Sequence, residues 1–158
     1  MKQHDIETLT SLSRPTLSPD GSFAIFATSR PDIAANRSVG QLWRHEIATG
    51  DTRRISRGVA DAAPQLSPSG GDVAFLRADA AGKPQIFVMD ASGSEPVQAT
   101  ASVAGVSSFS WSPDGLSLAY VARVIEHGRY GTVDGLGSDQ EAPRRITDVS
   151  WHANGLGY

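Results

Sequence analysis

Short apolar runs recur along the chain, each following a turn rich in Gly and Pro. Three stand in matching positions: Phe23-Ala24-Ile25-Phe26-Ala27, Val73-Ala74-Phe75-Leu76 and Leu118-Ala119-Tyr120-Val121-Ala122. A half-buried strand alternates apolar with polar residues, and these runs do not. Phe23 and Ile25 fall on one face, Ala24 and Phe26 on the other. Runs of this kind predict strands covered on both faces, in a sheet packed between two other sheets.

The preceding turn is itself repeated. Leu17-Ser18-Pro19-Asp20-Gly21 recurs as Leu66-Ser67-Pro68-Ser69-Gly70 and as Trp111-Ser112-Pro113-Asp114-Gly115. A weaker copy is Trp151-His152-Ala153-Asn154-Gly155. Pro presets φ, Asp or Asn bonds the local backbone, and Gly accepts positive φ, so the motif predicts a tight turn between two strands.

A second repeat lies between these turns. QLWRHEIATGDTRRIS, from Gln41 to Ser56, aligns without gaps on QIFVMDASGSEPVQAT, from Gln85 to Thr100, at an offset of 44. Arg144-Arg145-Ile146-Thr147 repeats the ending Arg53-Arg54-Ile55-Ser56. Each copy predicts an aromatic-bearing strand, a Gly-containing turn, and a short polar strand suited to an outer edge.

Four short antiparallel strands in about 45 residues have the size of one β-propeller blade. The fold predicted is therefore all-β, a partial β-propeller of about three and a half four-stranded blades. Residues 14–57 form the first blade, 58–101 the second and 102–147 the third, while 148–158 begin a fourth. Residues 1–13 lead in, and Asp5 is placed to cap a short helix with Ile6, Leu9 and Leu12 on one side. The third blade carries a long insertion, 126–143, in which no aromatic third strand is visible. Closed propellers typically use at least four blades, so the 158 residues are expected to be part of a longer protein, and the chain alone to be marginally stable, self-associating or aggregation-prone.

Composition narrows the function classes. A formal net charge of −3, with the signs interspersed, gives no footprint for nucleic acid or an anionic membrane. The absence of cysteine removes disulfides, thiolate metal sites and cysteine nucleophiles. The start, Met1-Lys2-Gln3-His4-Asp5-Ile6-Glu7, has no apolar core of a secretory signal, so a cytoplasmic location is expected. No apolar run approaches the length of a membrane span.

The Ser-Pro-Asp-Gly turn and its following strand resemble the WD40-like PD40 blade of TolB and of prolyl-oligopeptidase-type proteins. Ile86-Phe87-Val88-Met89-Asp90 followed by Val97-Gln98-Ala99-Thr100 fits the same blade. The opening, Ile6-Glu7-Thr8-Leu9 through Phe26, resembles the N-terminal start of S9 serine peptidases of the acylaminoacyl-peptidase branch. Glu126-His127-Gly128-Arg129-Tyr130-Gly131, Pro143 to Thr147 and Asn154-Gly155-Leu156-Gly157-Tyr158 resemble that branch too. The resemblance covers the whole chain, but only the first part of such an enzyme. It implies a propeller that restricts access of short peptides to an α/β-hydrolase domain, here a partner to be supplied by further chain. It implies no catalytic residue in this chain, because the Gly-x-Ser-x-Gly nucleophile elbow of the hydrolase domain does not occur here. The alternative is a non-enzymatic TolB-like scaffold for protein–protein interaction.

The remaining candidates have plainer readings. His4, His45, His127 and His152 lack the spacing of metal ligands. Ser18, Ser67 and Ser112 sit in turns, where a hydroxyl bonds backbone rather than serving a triad. Arg53-Arg54 and Arg144-Arg145 invite a phosphate or carboxylate reading, but charges on outer strands also blunt an exposed edge. Asp20 and Asp114 lack the further acidic ligands of a calcium loop. Glu126, His127, Arg129 and Tyr130 form the one polar-aromatic group in a non-repeating loop. No residue is assigned as catalytic, as a metal ligand or as a cofactor ligand, and no cofactor is expected.

Overall fold

A computed structural model describes residue 6, residues 8–125, and residues 135 and 140. The chain divides into two units, Met1–Arg123 and Val124–Tyr158. In the first, twelve strands and their turns account for the structure, and the expected all-β architecture is present. Of the second, only Val124, Ile125, Gly135 and Gln140 are described. The expected insertion at 126–143, the ending at Thr147 and the start of a further blade at 148–158 otherwise lie outside the described residues.

The first sheet uses β1 (Ser11–Leu12), β2 (Thr16–Leu17), β3 (Phe23–Asp32), β4 (Arg37–Val39), β5 (Leu42–Glu46) and β6 (Thr52–Arg54). Its blade is the meander β2-β3-β5-β6, with Thr16 opposite Ile25, Phe26 opposite Trp43 and Trp43 opposite Arg54. β1 extends the inner edge by pairing Leu12 with Thr28, and β4 extends the hairpin by pairing Asp32 with Arg37.

The second sheet is a complete four-stranded antiparallel blade. It contains β7 (Ala62–Leu66), β8 (Asp72–Ala78), β9 (Pro84–Asp90) and β10 (Val97–Gln98), each paired to the next. The third sheet is described as one hairpin, β11 (Val106–Trp111) with β12 (Leu118–Ala122). Two blades and half of a third are thus described, and they form no closed ring.

Side-chain alternation on β8 explains the stacking. Val73 and Phe75 join Phe23, Ile25, Ala27, Leu42, Ile55 and Leu66 in one core, between the first and second sheets. Ala74 points the other way and joins Ile86, Val106 and Phe109 in a second core, with Leu76, Trp111 and Leu118 packed against it. Val73, Ala74 and Phe75 are fully buried, so the expected two-sided cover is met on β8. It is not met on β3, where only Phe23, Ile25 and Ala27 are buried, nor on β12, where Tyr120 and Val121 are exposed. The reason is physical: a sheet face is covered only by a neighbouring sheet, and among the described residues only the second blade has one on each side.

Among the described residues the expected N-terminal helix does not form beyond a single turn. Its described residues make one tight turn, in which the Leu9 amide donates to the Ile6 carbonyl at 3.1 Å. Leu12 lies in β1 rather than on a helix face, and Ile6, Leu9 and Leu12 are all exposed. With so little apolar surface to bury, a short helix has nothing to offset its nucleation cost, whereas β1 gains ladder bonds to β3.

Candidate functional site

The repeated turn is one hydrogen-bonded device used three times. The amides of Ser18, Ser67 and Ser112 donate to the carbonyls of Phe23, Asp72 and Ser117 at 2.8–2.9 Å. Their hydroxyls accept from the amides of the same three residues at 3.0, 3.1 and 2.9 Å. These serines are therefore committed to backbone, as their place in the turn implies. Asp20 accepts from the Ser22 amide at 3.0 Å, and Asp114 accepts from the Leu116 amide at 3.0 Å. Ser69 fills the same role in the second blade, accepting from the Gly71 amide at 3.3 Å.

These bonds favour the ionised carboxyl. The Ser18 hydroxyl first, then the amide and hydroxyl of Ser22, hold Asp20 down at about 2. Asp114 is lowered in the same way, first by the Ser112 hydroxyl and then by the Leu116 amide. Turn chemistry thus uses the oxygens that a calcium reading would have needed. Among the described residues, no three His, Asp or Glu side chains gather to hold a metal.

The turns also stack. A Cβ on Gly70 would stand 2.8 Å from the Pro19 ring, and one on Gly115 would stand 3.4 Å from the Pro68 ring. The Pro of each turn therefore packs on the Gly of the next. Inner strands are tied across blades as well: the Leu66 amide donates to the Thr16 hydroxyl at 3.2 Å, and the Gln65 side-chain amide donates to the Phe109 carbonyl at 2.8 Å.

Other candidates resolve individually. His45 lies in β5 with its Nδ1 2.7 Å from the Thr52 hydroxyl, a cross-strand contact on a half-buried face. Arg53 and Arg54 stand exposed on the outer strand β6. His4, His127, His152, Glu126, Arg129, Tyr130, Arg144 and Arg145 lie outside the described residues.

A buried polar cluster was not visible in the sequence. Asp61 has no exposed side-chain area, yet it binds Arg77 through Nε at 2.7 Å and Nη2 at 3.0 Å. It also accepts from the Ser56 hydroxyl and from the Gly58 amide. The second blade solves the same position differently: Thr100 donates to Gln85 at 2.9 Å, and Gln85 bonds both backbone groups of Ser102. Because position 105, the 44-residue counterpart of Asp61, is Gly, the repeat carried no signal for the pair.

The cleft with most polar lining lies between blades. It holds about 450 Å³ and is bounded by Arg53, Arg54, Arg57 and Arg77 on one side and the Ser92–Pro96 turn on the other. A smaller, more apolar groove of about 290 Å³ runs beside the inner strands, past Leu12, Ala27, Val39 and Ala62. Neither brings together a nucleophile, a base and an acid.

Comparison with known proteins supplies what the geometry does not. No protein-family profile matches the chain. The chain is 26% identical over 154 residues to a Bacillus subtilis protein described as the uncharacterized peptidase YuxL. That match covers 97% of this chain but 23% of the relative, so the chain spans less than a quarter of it. Among solved structures, Pyrococcus horikoshii acylaminoacyl peptidase superposes with a TM-score of 0.63 at 19% identity, over 74% of this chain and 18% of that one. The β-propeller domain of the Trilobed protease from Pyrococcus furiosus gives 0.58 at 20% identity, over 72% of this chain and 34% of that one. TolB from Acinetobacter baumannii gives 0.55 at 22% identity, over 69% and 26%. The structural matches show a β-propeller fold, here in part, and the relative that matches in sequence is described as a peptidase.

Proposed function

We propose that this chain is the N-terminal propeller portion of an S9 serine peptidase acting on short peptides, of acylaminoacyl-peptidase type. Its role is to support a hydrolase domain and restrict what reaches it, without cleaving bonds itself. One observation carries the reading: a peptidase relative aligns with 97% of a chain whose blades superpose on peptidase propellers. The described polar groups agree with a supporting role, since turn serines, Asp61 and Arg77 are engaged in holding blades together.

The test compares the 158-residue chain with the product of its complete reading frame, using acyl-aminoacyl anilides. The complete product is expected to turn these over and the chain to release no anilide. Serine-inhibitor-sensitive turnover by the chain would overturn the proposal. A second reading, a non-enzymatic scaffold, is favoured by the superposition on TolB. A reading frame that continues through more blades into Gly-x-Ser-x-Gly supports the peptidase, and one that does not supports the scaffold.

A further inference from the structure

The cleft between the first two blades concentrates positive charge that its structural bonds do not neutralise. Arg53, Arg54 and Arg57 fall within five residues of a chain whose net charge is −3. Arg53 donates to the Ser92 carbonyl at 2.8 Å, and Arg54 donates to the Gln41 side-chain carbonyl at 3.3 Å; both acceptors are neutral. Arg57 has no hydrogen bond or ion pair among the described residues. Arg77 is paired with Asp61 through Nε and Nη2, which leaves its Nη1 outside that pair. Glu95 is the one acidic residue in the lining.

The walls are set before any ligand arrives. Ile55 and Ser56 are buried between the arginines and pin that segment to the core. Opposite, Gly93 has φ of 97°, and a Cβ there would stand 3.0 Å from the Ile55 carbonyl oxygen. The Ser92–Pro96 turn is therefore pressed against the arginine segment, and Arg53 bonds across to it. Edge protection accounts for charge on β6, and the pair with Asp61 accounts for Arg77 on β8. Neither accounts for Arg53 reaching across to the next blade or for Arg57 beside it.

We propose that this inter-blade cleft is a binding site for a small oxyanion, a phosphate group or a carboxylate. Guanidinium groups form paired, charge-assisted hydrogen bonds with such oxygens. Arg57 supplies the free guanidinium, and Arg53 and Arg77 flank it.

The experiment titrates the chain with inorganic phosphate, and separately with acetate, by calorimetry at low ionic strength held constant with chloride. Phosphate binding tighter than acetate assigns a phosphorylated ligand, and the reverse assigns a carboxylate. Arg57→Gln is expected to weaken the preferred anion about tenfold, because it removes a charge-assisted contact. Arg53→Gln is expected to weaken it comparably, and Arg14→Gln, between the inner strands β1 and β2 and outside the cleft lining, to leave it unchanged. Arg57 makes no structural bond, so its replacement does not threaten folding. Failure of both anions to bind, undiminished binding in Arg57→Gln, or an equal loss in Arg14→Gln would each overturn the proposal.

Discussion

Asp61 shows how much one residue outside the repeat can carry. Its carboxylate is fully buried and accepts from Ser56, Gly58 and both engaged nitrogens of Arg77. Removing one partner of a buried pair leaves the other charge without compensation. Asp61→Leu is expected to cost about 3 kcal/mol, read from the urea midpoint of the chain. A loss below about 0.5 kcal/mol, the range of an ordinary surface change, would show that Arg77 finds water instead. The turn carboxylates make a different contribution. Asp20 is held at about 2 in the folded chain, below its ordinary value of 3.8. Stability from Asp20 is therefore complete above about pH 4 and is lost as pH falls toward 2. Asp20→Asn is expected to flatten the fall in stability over that window and to leave the slope above pH 5 unchanged. Acid-unfolding curves of the two proteins check it.

At the scale of elements, position within the stack outweighs side-chain type. Phe75 on β8 and Tyr120 on β12 occupy the same place after the same turn, three residues beyond the amide that bonds the turn serine. Phe75 is fully buried, whereas Tyr120 is 50% exposed. Phe75→Ala is expected to cost about 3–5 kcal/mol, and Tyr120→Ala only about 1 kcal/mol. Equal losses in denaturant titrations would mean that the third sheet is covered more fully than its described residues show. The alternation that separates Val73 and Phe75 from Ala74 was legible in the sequence, because strand periodicity is local. Which alternate face meets which neighbour was not, because Phe23 and Phe109 approach β8 from sequence positions about 50 and 35 residues away.

For the molecule as a whole, the two cores share β8, so the blades stand or fall through contacts between sheets rather than within them. The face of β12 carrying Ala119 and Val121 has no cover among the described residues, and Val121 is 60% exposed. Apolar sheet surface without cover favours association of copies. Val121→Arg is expected to lower self-association of the 158-residue chain without lowering its unfolding midpoint. Sedimentation velocity alongside thermal melts separates the two effects, and a drop in midpoint would show that Val121 is packed.

The turns, the strand that follows each and the repeat of the third and fourth strands all follow from bonds and preferences within a few residues. Pro, Asp and Gly dictate a Ser-Pro-Asp-Gly turn wherever it stands, so Ser18, Ser67 and Ser112 could be placed from the sequence alone. The lead segment misled because an Ile6-Leu9-Leu12 spacing describes a helix face only if something lies there to cover it; ladder bonds to β3 took Leu12 instead. Three features were decided solely by the fold: the Asp61–Arg77 pair, the inter-blade arginine cleft and the unequal burial of equivalent strands. All three join residues that different blades or loops bring together, and periodicity records which way a side chain points but not what it meets.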